Sequence, residues 1–226
     1  MIHLLYFITR KPGLDDDEFH RYWRDVHGPI VAQIPQLRRY LQSHVLPGST
    51  FNSQYDGAAE AWVDDIETLA ELRNEPAYLD GALADEPNFI DMSRVEWLTT
   101  RDRVIVDGPQ KPMMVKTISL LRRKQGLSVE AFRSHWRDVH GPIATALPGI
   151  RRYTQCVTLD NAYEFGEPRW DGVSEIWVDS PEALVAMRES EVYQQSAMAD
   201  AENFLDSDAL SVFAATEHHV IWPETR

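Results

Sequence analysis

Short apolar runs and amphipathic stretches alternate along the chain in a fixed order, and the whole order occurs twice. In the first half, apolar or alternating runs predict four strands, over 3–8, 37–46, 57–63 and 94–98, the last extending toward residue 106. Helical spacing predicts a helix that begins near residue 15, a short helix over 64–73, and a partly helical connection over 75–89. The matching pieces of the second half are 115–121, 132–153, 172–178, 181–189 and 211–221.

Each half therefore predicts a β-α-β-β-α-β unit, the ferredoxin-like arrangement with helices on one face of an antiparallel sheet. The repetition is explicit in the sequence, because 19–40 and 132–153 are identical at 13 of 22 positions. We predict an α+β protein with a first domain over 1–106, a linker over 107–112, and a second domain over 113–226. Each sheet has one uncovered face. We therefore expect the two sheets to pack face to face as an intrachain α/β barrel, giving a monomer or a homodimer.

The repeated segment also predicts a break in its helix. Phe19, Trp23 and His27 follow helical spacing on an apolar stripe, and an acidic capping box precedes them. Pro29 cannot donate a backbone hydrogen bond, so we expect the helix to kink or end near His27 and to restart with Pro29 in its first turn. His140 occupies the same place in the second copy. Each imidazole should lie between an apolar wall and free helix carbonyls.

Composition narrows the function classes. The net charge is −14 and no basic patch offsets it, which argues against a nucleic-acid partner. No apolar run approaches the length of a membrane span, so we expect no membrane partner. The single cysteine, Cys156, excludes an intramolecular disulfide and fits a reducing compartment. We therefore predict a cytoplasmic protein.

A combination of motifs identifies a family. The chain contains F-x-x-x-W-R-D-V-H-G-P, P-x-x-R-R-Y, a Tyr-Asp-Gly or Trp-Asp-Gly, a Glu-x-Trp, and an Asn-Phe pair, each of them twice. This pattern resembles the EthD family, a branch of the dimeric α/β-barrel superfamily. The resemblance implies a pocket between helices and sheet that works without a metal or an organic cofactor. Relatives in the superfamily include fungal polyketide-pathway decarboxylases and dehydratases, and methylmuconolactone methylisomerases look similar over His-Gly-Pro.

Two functions follow from this resemblance. The first is a cofactor-independent lyase or isomerase that acts on a small aromatic, polyketide-like or lactone acid by His-mediated proton transfer, as in aromatic degradation. The alternative is a non-catalytic barrel that binds a small ligand or assists a partner enzyme in ether or aromatic degradation. The spacing of His135 and His140 does not match helical zinc ligands, so we predict no metal.

The catalytic candidates are His27, Tyr40, His44, His140 and Tyr153. Histidine titrates near neutral pH and suits general acid–base work, while a phenol can donate to a developing oxyanion. The alternative is that each is a core side chain with an ordinary hydrogen-bond partner. We expect the first copy to be the better site, because His44 shares a strand face with Tyr40, whereas the second copy has Val157 there and a solvent-facing His135.

The substrate-binding candidates are polar or aromatic side chains on the helix stripe and on the strands. They are Trp23, Arg38, Gln42, Glu60, Trp62, Trp136, Gln155, Glu175 and Trp177. Arg38, or its counterpart Arg151, could anchor a substrate carboxylate, or could instead form a surface salt bridge. Glu60 and Glu175 could act as acids beside tryptophan, or make structural hydrogen bonds. Strand parity does not say which face of the sheet these two glutamates occupy.

Overall fold

The computed structural model describes residues 1–48, 53–111 and 113–223. Eight strands form one closed antiparallel barrel in the order β1-β3-β2-β8-β5-β7-β6-β4. They are β1 Ile2–Ile8, β2 Arg39–Val45, β3 Gly57–Val63, β4 Glu96–Val106, β5 Val115–Leu121, β6 Arg152–Thr158, β7 Gly172–Val178 and β8 Ser211–Ile221. The predicted α+β barrel class is confirmed.

Seven α-helices accompany the strands of the described chain. They are α1 Asp16–Tyr22, α2 Gly28–Val31, α3 Ile66–Glu71, α4 Val129–His135, α5 Gly141–Ala144, α6 Pro181–Glu189 and α7 Met198–Phe204. The capping box is present, since the Asp15 side chain accepts from the Glu18 amide and the Glu18 side chain accepts from the Asp15 amide. Ser128 caps α4 with one bond, since its hydroxyl oxygen accepts from the Ala131 amide.

The chain divides into two compact units. The first comprises Met1–Pro47 and Ser53–Thr100 with the end of β8 from Glu217, and the second is built mainly from Arg101–Thr216. In the first unit β1 pairs with both β3 and β4, and β2 pairs with β3. In the second, β5 pairs with both β7 and β8, and β6 pairs with β7. The predicted domain limits of 1–106 and 113–226 stay a prediction, and residues 112 and 224–226 lie outside the described part.

The helix through each repeated segment does not stop at the proline but widens into a π-helical turn. Between α1 and α2, Trp23–His27 forms a π-helical turn in which the Gly28 amide donates to the Trp23 carbonyl. Trp136–His140 repeats this turn, with the Gly141 amide donating to Trp136. The predicted break near His27 is therefore real, but the helix continues through it. In a π turn the backbone amide donates to the carbonyl five residues earlier and not four. The helix can therefore continue here although Pro29 has no amide hydrogen to donate.

Candidate active site

The two π turns at Trp23–His27 and Trp136–His140 are each held by a glutamine from the neighbouring strand. Gln155 Nε2 donates to the Trp136 carbonyl oxygen at 2.8 Å and to Tyr153 Oη at 3.1 Å, and Trp136 Nε1 donates to the same phenol at 3.0 Å. In the first unit Gln42 Nε2 donates to the Trp23 carbonyl at 2.7 Å. These carbonyls are free to accept a second donor because the helix ladder is opened there. The strand thus fixes the turn that carries the histidine.

Glycines make room for this arrangement. A Cβ on Gly172 would lie 2.7 Å from the Trp136 ring and 2.8 Å from the Cys156 carbonyl oxygen. A Cβ on Gly141 would lie 3.3 Å from Gln155 Nε2. The glycines of the Asp-Gly and His-Gly-Pro motifs are therefore needed for close approach of the tryptophan and the glutamine.

An aspartate orients each histidine. His140 Nδ1 lies 2.9 Å from Asp200 Oδ2, and His135 Nε2 lies 2.9 Å from Asp200 Oδ1. The carboxylate only accepts, so each bonded ring nitrogen is the donor and His140 keeps its Nε2 as the acceptor nitrogen. Phe204 packs beside both imidazoles, with ring centroids 4.9 Å from His135 and 5.0 Å from His140.

The first unit has the same histidine–aspartate pair, called a dyad below, but a tyrosine replaces His135 as the second donor to the aspartate. His27 Nδ1 lies 2.9 Å from Asp85 Oδ2, and Tyr22 Oη donates to Asp85 Oδ1 at 2.7 Å. Asn88 Nδ2 also donates to this carboxylate at 3.0 Å. Tyr22 is thus the counterpart of His135. The expectation that His135 faces solvent is wrong, because the side chain is half-buried and hydrogen-bonded to Asp200.

Burial keeps His140 neutral. Desolvation lowers the pKa of His140 below its usual value, and the hydrogen bond to Asp200 only partly opposes this effect. Burial alone would raise the pKa of Asp200, but hydrogen bonds from His135 and His140 hold it below its ordinary value. The pKa of His27 is likewise lowered by burial. At neutral pH the arrangement is a carboxylate beside an uncharged imidazole, which is the form that a general base requires.

A cavity of about 100 Å³ lies beside His140 within the second unit. Its apolar wall includes Trp136, Leu147, Met187 and Phe204. Its polar lining includes the hydroxyl-bearing residues Thr117, Ser119, Ser174 and Tyr193. An apolar pocket with a few convergent polar groups is typical of a small-molecule site. Of the two dyad histidines, His140 is also the more accessible, with 16% of its side chain exposed against 6% for His27.

The EthD domain model matches the chain twice, over residues 11–93 and 124–208. The chain belongs to the EthD family. The two matches contain the two π turns and both histidine–aspartate dyads, so each EthD segment carries one complete copy of this geometry.

Solved structures with TM-scores above 0.5 share the barrel fold of this chain. An anthrone oxidase-like protein matches with a TM-score of 0.64 at 10% identity, over 97% of this chain and 92% of that one. A chlorite dismutase variant from Candidatus Nitrospira defluvii matches with a TM-score of 0.54 at 8% identity, over 97% and 92%. An EthD family protein from Bacillus halodurans is 24% identical over 47% of this chain and all of its own, with a TM-score of 0.40. No curated protein sequence matches the chain.

The dyad aspartates of this EthD chain were missed by sequence reasoning. Asp85 and Asp200 each begin an Asp-x-x-Asn-Phe segment, of which only the Asn-Phe part was used as a motif. The signal was available, because the same Ala-x-Ala sequence precedes the aspartate in both copies. The segments were treated as irregular connections, and the link from Asp200 to His140, sixty positions apart, is visible only in three dimensions.

Tyr40 and His44 occupy the helix side of β2, as strand parity predicted. His44 Nε2 bonds Gln42 Oε1 at 3.1 Å, and its ring lies 4.4 Å from that of Trp23. Burial lowers the pKa of His44 to about 2, so it stays uncharged and cannot be the acid that we expected beside His27. His44 instead supports the glutamine that holds the π turn. Tyr40 is buried, which raises its pKa to about 12, and Tyr153 is bonded by Trp136 and Gln155.

Four of the predicted substrate-binding residues lie on the opposite face of the sheet. Ser43 Oγ donates to Glu60, and Trp62 stacks on His3 with ring centroids 3.9 Å apart. In the second unit, Lys116 Nζ donates to Glu175 at 3.1 Å and lies over the Trp177 ring. These side chains alternate with those that face the helices, so the four substrate-binding candidates Glu60, Trp62, Glu175 and Trp177 do not line the pocket beside the histidines, and the face that strand parity left open for the two glutamates is the one away from the helices.

The arginine pair is a surface feature. Arg38 forms hydrogen bonds of 2.6 to 3.1 Å with Asp64, and Arg151 is paired with Asp179. All four side chains are exposed. Of the two uses considered for Arg38, the surface salt bridge is the one that the structure shows. Separately, none of the helices in the described chain is both long and apolar enough to cross a membrane.

A buried glutamate near the first dyad gives a stability prediction. Burial raises the pKa of Glu86 to about 7, while the hydrogen bond from Tyr6 Oη partly opposes this effect. The folded state therefore holds a proton that the unfolded state releases, and the free energy of unfolding falls as pH rises from about 4.5 to about 7. We expect Glu86→Gln to remove this loss, so that the variant gains stability over the wild type between about pH 5 and pH 8 in urea denaturation. Glu67→Gln, at an exposed position, is the control and should show no such gain.

Proposed function

We propose that this EthD protein is a cofactor-independent enzyme whose substrate, a small aromatic, polyketide-like or lactone acid, binds in the second-unit cavity. His140 is its general base. The observation that carries this proposal is the position of His140, which lines an apolar cavity while Asp200 accepts from its Nδ1. The names of the solved relatives, which include an oxidase-like protein, fit chemistry on small molecules but do not identify the substrate.

The geometry supports proton abstraction from carbon. His140 Nε2 takes the proton from a carbon next to a carbonyl, and the electron pair of the broken C–H bond delocalises onto the carbonyl oxygen. Ser119 and Ser174 line the cavity at directly paired strand positions, and we assign their hydroxyls the role of donors to that oxygen. Return of the proton to another carbon completes an isomerisation, and loss of a β-hydroxyl as water completes a dehydration. In a decarboxylation His140 Nε2 first takes the proton of the substrate's carboxylic acid group, and the imidazolium so formed protonates the carbanion that remains when CO₂ leaves.

Asp200 acts through His140 as a positioning residue. It fixes the Nδ1–H tautomer and stabilises the imidazolium that forms during the reaction. Asp200→Asn keeps the shape and removes the charge, so it should lower kcat with little change in KM. The Nδ1–H tautomer should lose its dominance in the ¹⁵N spectrum of labelled histidine. An unchanged tautomer and an unchanged kcat would contradict the role of Asp200.

The pH profile tests the base directly. Because burial places the pKa of His140 below its usual 6.5, the base form predominates at neutral pH. We expect kcat/KM to be flat near neutral pH and to fall tenfold per pH unit on the acid side of that depressed pKa. A profile that rises with increasing acidity would show that the histidine acts as an acid in the rate-limiting step.

The alternative is an EthD barrel that binds a small ligand without turning it over. The cavity supports this reading equally, because its apolar lining does not itself require a reaction. Screening candidate acids and lactones separates the two. Turnover that depends on His140 supports the enzyme, and saturable binding unaffected by Asp200→Asn supports the binding protein.

A further inference from the structure

The two units differ at the positions that enclose the cavity. Ser119 lines the cavity from β5, and its counterpart on β1, at the repeat offset of 113, is Tyr6. Ala201 lines it from α7, and its counterpart, one residue after the dyad aspartate, is Glu86. Both small residues of the second unit thus correspond to large polar ones in the first. The strand register agrees, since Tyr6 pairs with Ala59 and Ser119 pairs with Ser174 at equivalent positions.

The two large side chains meet. Tyr6 Oη donates to Glu86 Oε2 at 2.9 Å, and Glu86 is 6% exposed. Tyr6 packs against the cluster of Trp23, Phe19 and Phe89, the counterpart of the Trp136 cluster that includes Ala201. The phenol and the carboxyl group therefore lie beside Trp23, at the place that corresponds to the cavity beside Trp136 in the second unit. Their mutual hydrogen bond satisfies two polar groups that would otherwise be costly to bury.

We infer that the Tyr6–Glu86 pair closes the first unit against ligand, so that each chain carries one small-molecule site, in the second unit. This inference rests on the cavity of the proposed function but not on turnover, because it concerns where a ligand binds. It gives the duplicated dyads different roles. His140–Asp200 faces a ligand, whereas His27–Asp85 ties the helix layer of its own unit together.

Exchange of the two pairs tests the inference. The probe is 1-naphthol, a small aromatic alcohol, and isothermal titration calorimetry measures its stoichiometry on the intact chain. Wild type should bind one probe. Ser119→Tyr combined with Ala201→Glu should abolish measurable binding, and Tyr6→Ser combined with Glu86→Ala should raise the stoichiometry to two. Ser207→Tyr combined with Ala186→Glu adds the same two side chains at exposed positions outside the cavity lining and should bind one probe.

Two results would overturn the inference. The first is evidence from the wild-type protein that the probe binds in the first unit. This evidence would be a stoichiometry of two, or probe-induced shifts of the Trp23 indole signal and not of the Trp136 signal. Both measurements use the wild-type protein and so do not require any variant to fold. The second is full binding by the folded Ser119→Tyr, Ala201→Glu variant. Failure of the proposed enzyme function would look different, since the probe would still bind once per chain while His140→Ala left any turnover unchanged.

Discussion

Replacing His140 by alanine is expected to lower turnover by ~100- to 10,000-fold, the usual contribution of a positioned general base. The reason is local, because His140 is the dyad histidine that lines the described cavity and is held uncharged there by burial. The steady-state kcat of the purified variant on the identified substrate measures the loss. His140→Gln retains a polar side chain of similar length and should be nearly as inactive, because an amide cannot accept the proton.

His27→Ala is the matched control. His27 has the same partner geometry but belongs to the unit in which Tyr6 and Glu86 stand at the cavity positions. We expect His27→Ala to lower the free energy of unfolding and to leave kcat within a few-fold of wild type. The sequence-based prediction was the reverse, with His27 as the working base. A large loss of kcat from His27→Ala alone would restore that first prediction, and equal losses would mean two working sites.

Replacing Gly172 by alanine is expected to destabilise the protein by about 1–3 kcal/mol, the typical cost of overpacking a filled core. The added methyl group would lie 2.7 Å from the Trp136 ring and 2.8 Å from the backbone oxygen of Cys156. The backbone of a paired strand cannot withdraw, so the tryptophan has to move. Since Trp136 also forms a cavity wall, probe affinity should fall together with stability.

Urea denaturation of the two proteins measures the difference. Gly81→Ala is the control, because its added methyl group would meet one atom within 4 Å, the side-chain Cγ2 of Ile30 at 3.2 Å, and no backbone. Its effect should be within about 1 kcal/mol of wild type, since alanine is also the better helix former. A Gly172→Ala protein as stable as the wild type would contradict the close packing assigned to the tryptophan.

Local patterns predicted most of the fold. Runs such as 57–63, 115–121, 172–178 and 211–221 match observed strands end to end, because period-two alternation and Gly or Pro boundaries determine strands locally. The internal repeat of the β-α-β-β-α-β unit then predicted the α+β barrel class. Pro29 correctly predicted where the helix becomes irregular. Whether the helix kinks, ends or forms a π turn there depends on a hydrogen-bond donor from another element, in this case Gln42, which donates to the Trp23 carbonyl.

The site was predicted less well than the fold. The histidines and the glutamines were singled out, but their aspartate partners lie in another helical segment, and the repeated Asp-x-x-Asn-Phe pattern does not say which side chain the aspartate contacts. The face of Glu60 and Glu175 stayed open at the sequence level, because alternation gives relative faces and not which face the helices cover. The preference for the first unit rested on His44, whose burial makes it unusable as an acid, and it overlooked Tyr6 and Glu86.

The central claim is that His140 is a neutral base whose Nε2 faces a ligand site in the second unit. A ¹⁵N NMR titration of histidine-labelled protein, with and without 1-naphthol, tests it in one experiment. We predict that His140 is the Nδ1–H tautomer, that its pKa lies below 6.5, and that its Nε2 signal shifts on saturation with the probe while that of His27 does not. An Nε2–H tautomer for His140, or a probe that perturbs His27 and leaves His140 unchanged, would contradict the claim.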